Sequence, residues 1–95
     1  WFSLMASYPV QCLNWHDRWV APDMAQARKL SDKCFMGGIN ETWLKTATPD
    51  QITVHVREAV VTAGRRGLMV TPGCVADPTT PVENYIACRR ALDNL

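Results

Sequence analysis

Ninety-five residues are enough for one domain at most. With 47% hydrophobic residues, 20% charged residues and a formal net charge of +1, the composition is that of a soluble globular protein and gives no electrostatic case for nucleic acid or an anionic membrane. No apolar run approaches the roughly 20 residues that span a bilayer, and no signal-peptide pattern opens the chain.

Trp1, Leu4, Met5 and Tyr8 are spaced as on a helix, so residues 1–8 read as the tail of one, ended by Pro9. The chain opens at Trp1 rather than Met and is read as processed or partial. Val10–Trp15 is the first expected strand, with His16 and Asp17 at its carboxyl end. Pro22 fits the first position of a helix to about Leu30 or Ser31, with Met24, Ala27 and Leu30 toward the core. Cys34–Ile39 is the second strand, and its Gly37-Gly38 pair marks a close approach of backbone to a neighbour. Glu41 to Ala47 is a connection, with room for one helical turn carrying Trp43 and Leu44.

Thr48-Pro49-Asp50-Gln51 has the pattern of a capping box. Behind it Ile52, Val56, Ala59, Val60 and Ala63 form one apolar stripe, and Gly64 is the expected stop. Gly67–Val70 is the third strand; Pro72-Gly73 breaks it and leaves the thiol of Cys74 just past its end. Thr80-Pro81-Val82-Glu83 repeats the capping pattern, and Tyr85, Cys88, Leu92 and Leu95 line a face of the last helix.

Strand and helix thus alternate in an internal repeat of roughly 30 residues, the size of a βαβ unit, which implies an α/β fold with a parallel sheet. Three such strands leave one face and two edges open. A closed βα barrel has eight units in roughly 250 residues, so residues 1–95 are expected to be its last three. The rival is a small open flavodoxin-like sheet, which needs about five strands.

Asn14-Trp15-His16-Asp17-Arg18, Met36-Gly37-Gly38-Ile39-Asn40, Thr48-Pro49, Thr71-Pro72-Gly73-Cys74 and Thr80-Pro81-Val82-Glu83-Asn84 occur in that order, and in this the chain resembles the uroporphyrinogen decarboxylase superfamily. The resemblance implies the carboxyl-terminal part of a (β/α)8 TIM barrel. It also implies one of two chemistries: cofactor-free decarboxylation of the acetate groups of uroporphyrinogen, or zinc-dependent methyl transfer between a corrinoid and a thiol. The decarboxylases carry a Gly-His-Gly turn after the last strand. Pro72-Gly73-Cys74 departs from it and is closer to the methyltransferases, in which that Cys is a zinc ligand. Their other ligands, a His-x-Cys pair, would fall just before Trp1.

Cys74 is therefore the candidate metal ligand, against packing of a tight loop. Zinc takes thiolates, and a catalytic zinc keeps one position open for a substrate. His16 and Asp17 are candidates to line the substrate pocket, against a hydrogen-bonded loop pair in which Asp17 meets Arg18. Gly37 and Gly38 either admit substrate to the backbone or let the barrel pack. Trp15 and Trp43 are weighed as contacts for a flat macrocycle against plain packing. His55 is expected on a solvated or half-buried helix face. Cys12, Cys34 and Cys88 are expected to be buried reduced thiols, and Arg65-Arg66 and Arg89-Arg90 exposed charge. The expected partners are a small-molecule substrate or a corrinoid protein, in the cytoplasm. A different class of reading is a non-catalytic partial barrel that pairs with itself or with a complementary barrel fragment through its open edges.

Overall fold

The computed structural model describes residues 1–95. Four helices and three strands alternate as α1 (Phe2–Ala6), β1 (Cys12–Asn14), α2 (Met24–Leu30), β2 (Cys34–Ile39), α3 (Pro49–Ala63), β3 (Leu68–Pro72) and α4 (Val82–Asp93). The strands form one parallel sheet in the order β1-β2-β3, as expected for consecutive units of a barrel. The sheet is an open arc, with β1 and β3 at its edges.

Side chains alternate across a strand, so the register sorts the two faces. Leu13, Phe35 and Leu68 are aligned in one row, and the helices pack on their side. Asn14, Met36 and Met69 form the neighbouring row on the opposite face, where Met69 is 51% exposed. No helix covers that face. None of the helices is long and apolar enough to cross a membrane.

Two apolar clusters hold the helices down. Phe2, Leu13, Met24, Ala27, Phe35 and Ala63 form the first, with Trp15 against it; its three aromatic rings meet at centroid distances of 4.7 to 6.1 Å. Ile39, Leu44, Ile52, Val56, Ala87 and Ala91 belong to the second, between α3 and α4. Arg28 ties the amino-terminal ends of the strands together. Its guanidinium lies 3.8 Å over the Phe35 ring and donates to the carbonyls of Lys33, Ala63 and Gly67.

The expected stripe of α3 is buried in full, and its capping box forms: Thr48 Oγ1 accepts from the Gln51 amide and Gln51 Oε1 from the Thr48 amide. Gly64 stops the helix at φ 89°. Residues 41–47 are hydrogen-bonded turns that bury Leu44.

Several local expectations are corrected. β1 begins at Cys12 rather than Val10, and β3 continues through Pro72, because β2 is long enough to pair with it there. Pro22 is not the first residue of α2. Asp23 caps that helix through a second box with Gln26, and the Pro22 carbonyl accepts from the Trp15 indole. Leu30 is 56% exposed, since α2 turns Met24 and Ala27 inward. In α1 the inward residue is Phe2, which joins the aromatic cluster, whereas Trp1 and Leu4 face outward. Thr80 does not cap α4; its hydroxyl is buried and donates to the Asp77 carbonyl. The buried face of α4 is Asn84, Ala87 and Ala91, with Tyr85 and Leu95 exposed. Asn84 sets that rotation by donating to the Leu44 and Ala47 carbonyls. Cys12, Cys34 and Cys88 are half-buried rather than fully buried, and all four thiols are free.

Gly38 has φ 96°, and a Cβ there would stand 2.7 Å from the Ala59 Cβ. Gly64 has a similar φ of 89° with open space around it. Gly38→Ala is therefore expected to lose about 3 kcal/mol, from backbone strain plus overpacking, and Gly64→Ala only about 1–2 kcal/mol from strain. Urea denaturation midpoints check the order; equal losses would contradict the packing assigned to Gly38.

Candidate functional site

Parallel strands put all their carboxyl ends at one rim, where loops carry chemistry in α/β folds. His16 lies two residues past the end of β1, Glu41 two past β2, and Cys74 two past β3. The three loops are knitted together beneath these residues. Asn14 Nδ2 donates to the Met36 carbonyl at 2.6 Å and to that of Pro72 at 3.4 Å, and the Gly73 amide donates to the Ile39 carbonyl.

Glu41 is the residue that sequence reasoning missed, since it was assigned only to a connection. Its side chain is 7% exposed. Oε1 lies 2.6 Å from His16 Nδ1 and accepts from the Trp19 indole at 3.1 Å. The Trp19 ring also packs on the His16 imidazole, 4.4 Å between centroids. Oε2 is buried without a hydrogen-bond partner. Burial pushes the Glu41 carboxyl up, but its own backbone amide, Trp19 and His16 outweigh this and hold it below its ordinary value. The available signal was its place two residues past Ile39, the expected end of the second strand.

Gly73 fills the space between the β1 and β2 loops. A Cβ there would lie 2.9 Å from the Trp15 carbonyl oxygen, 3.1 Å from Glu41 Oε2 and 3.1 Å from His16 Cα. Cys74 follows it, exposed and engaged in no hydrogen bond. No group of three His, Cys, Asp or Glu side chains is close enough to hold a metal ion. Cys74 thus offers one thiolate donor without a complete ligand set around it.

Asp17 sits below the rim, 5% exposed, and Oδ1 accepts from the Gly38 amide at 3.0 Å. Burial pushes its carboxyl above the ordinary 3.8, against the pull of the Gly38 amide and the Arg18 charge. A Cβ on Gly37 would come within 2.5 Å of the same oxygen, so Gly37 leaves room for Asp17. Gly38 packs on Ala59 of α3. Arg18 makes no hydrogen bond to Asp17. It donates to the carbonyls of Gly38 (2.7 Å) and His55 (2.5 Å) and pairs with Glu58 at 3.3 Å. His16 and Glu41 are therefore brought together at the rim, whereas Asp17, Gly37 and Gly38 join β1 to β2 beneath it.

The second histidine is engaged elsewhere. His55 is half-buried, packs on Trp43, and accepts the Asn40 amide on Nε2 at 2.9 Å. Burial, and after it the Arg18 charge, hold it down from 6.5 to about 4. Trp15 is used up in the aromatic cluster.

A family model described as uroporphyrinogen decarboxylase (URO-D) matches residues 1–95. A search of curated proteins finds no match.

The buried titratable groups make stability depend on pH. The folded state favours neutral His55, so its contribution is complete above pH 6.5 and is lost as pH falls through about 4. His55→Gln, which keeps an acceptor for the Asn40 amide, is expected to flatten that loss in urea melts between pH 7 and pH 4 (about three pH units). The raised carboxyl of Asp17 works in the opposite sense: wild-type stability gains on Asp17→Asn as pH falls toward 3.8. Asp17→Ala, which leaves the Gly38 amide without an acceptor, is expected to lose about 1–3 kcal/mol at pH 7; no loss would contradict the role given to that bond.

Proposed function

Because the chain belongs to the uroporphyrinogen decarboxylase family, we propose that it forms part of an enzyme that transfers a methyl group between a corrinoid and a thiol, with Cys74 as a zinc ligand. The observation that carries this is the free, exposed thiol of Cys74, at the turn where the resemblance expects a His in decarboxylases. Its donor chemistry suits zinc, but it is one ligand, so the others would have to come from elsewhere in the barrel. Bound zinc would lower the pKa of a thiol substrate and favour its thiolate.

The chain's own residues supply the surroundings. Gly73 keeps the turn against the β1 and β2 loops, and the buried carboxylate of Glu41 lies beside it. His16, with a side chain 37% exposed, is the imidazole facing solvent at the rim. The four free thiols suit a reducing, cytoplasmic setting. The partner that supplies or takes the methyl group would be a corrinoid or a corrinoid protein.

A second reading, decarboxylation of uroporphyrinogen without a metal, is favoured by the His16–Glu41 pair. An imidazole buttressed by a carboxylate can deliver the proton that replaces a departing carboxyl group. The uncovered sheet face and free edges of β1 and β3 also favour pairing with a complementary barrel segment, or with another copy of the chain.

Elemental analysis separates the two chemistries. The protein purified from cells is expected to hold stoichiometric zinc, reduced at least tenfold by Cys74→Ser, and to methylate a thiol from a methylcorrinoid. A metal-free protein that converts uroporphyrinogen would establish the second reading and remove the first.

A further inference from the structure

Glu41 and His16 form a unit to which the zinc-dependent reading has so far given no role. A carboxylate held below its ordinary value is ionised at neutral pH and can only accept, so the hydrogen in the 2.6 Å contact sits on Nδ1 of His16. A neutral His16 then carries its lone pair on Nε2, which makes no hydrogen bond. The ring reaches solvent and Trp19 fixes its plane, both by packing on it and by donating to the same carboxylate oxygen. His55 differs on this point, because its Nε2 lone pair is already taken by the Asn40 amide.

Glu41 Oε2 is buried with no hydrogen-bond donor against it and faces the Gly73 turn, so Oε1 alone holds His16, and Nε2 is the ring nitrogen left open toward a substrate.

We infer that His16 is the proton acceptor for the substrate thiol at this rim and that Glu41 is its positioning residue, fixing the Nδ1-protonated tautomer. The inference rests on the thiol-methylation reading above. In the step, the sulfur–hydrogen bond breaks, its electron pair stays on sulfur, and a nitrogen–hydrogen bond forms at Nε2. The imidazolium is balanced by Glu41, and the exposed ring then returns the proton to water.

Selective nitrogen-15 labelling of the two histidines tests the tautomer directly, by long-range proton–nitrogen NMR on the protein at a pH where both rings are neutral. The expected wild-type pattern is Nδ1-protonated at both His16 and His55. In Glu41→Gln, which offers both a donor and an acceptor, His16 is expected to become a mixture while His55 stays unchanged and reports an intact fold. An Nε2-protonated His16 in the wild type would overturn the inference, whether or not the variant folds. So would a His16 tautomer that Glu41→Gln leaves as it was. The functional arm uses His16→Gly and free imidazole with a thiol and a methylcorrinoid. A loss of about 100-fold, with substantial recovery on adding imidazole, is expected of a proton acceptor; a loss that imidazole does not restore would overturn that role. Zinc content keeps the two proposals apart: a zinc-free protein with a fixed His16 tautomer counts against methyl transfer alone, and a zinc-loaded protein with a free tautomer against the Glu41 assignment alone.

Discussion

The arrangement depends on one hydrogen bond, from the Gly38 amide to the carboxylate of Asp17. It exists because Gly37 has no side chain in the space that Asp17 Oδ1 occupies. A buried carboxyl is expensive to desolvate, and here that amide and nearby Arg18 offset only part of the cost. Fixing Asp17 fixes its neighbours on either side. His16 is turned up toward Glu41, and Arg18 is laid across the end of β2 to reach the His55 carbonyl on α3. One loop therefore connects the sheet, the helix layer and the rim.

Arg28 does comparable work at the other end of the strands, where its guanidinium spans α2, β2 and the turn before β3. Both arginines bridge carbonyls from different elements, and planar guanidinium suits several acceptors at once. Between the two clamps the packing is one-sided. The helices cover the face of Leu13 and Phe35, while Asn14, Met36 and Met69 stand on the bare face. That asymmetry is what an arc of a barrel requires, because the bare face of an arc is the interior of the ring.

The rim brings two kinds of group close to each other in the sequence of loops. Cys74 is exposed and unconstrained by hydrogen bonds, whereas Glu41 is buried and its free oxygen lies against the same turn through Gly73. A soft sulfur donor and a proton acceptor at one rim would be complementary parts of the thiol chemistry proposed above. Neither is a complete site. A metal needs more donors than Cys74, and an acid–base pair needs a substrate seated on His16.

Local sequence was sufficient wherever a short-range bond or a clean period decided the outcome. The Thr48–Gln51 box, the α3 stripe and the Gly64 stop are of this kind, because each depends on residues within a few positions of one another. The alternation of strand and helix likewise determined a parallel sheet, since a parallel pair needs a crossover long enough to hold a helix. The rotation of α4, the exposure of Leu30 and the inward turn of Phe2 were decided by partners far along the chain, such as the carbonyls of Leu44 and Ala47 that capture Asn84. Glu41 belongs with these. Its acidity and its offset were present in the chain, but only folding placed it on His16, 25 residues away, and buried its carboxylate.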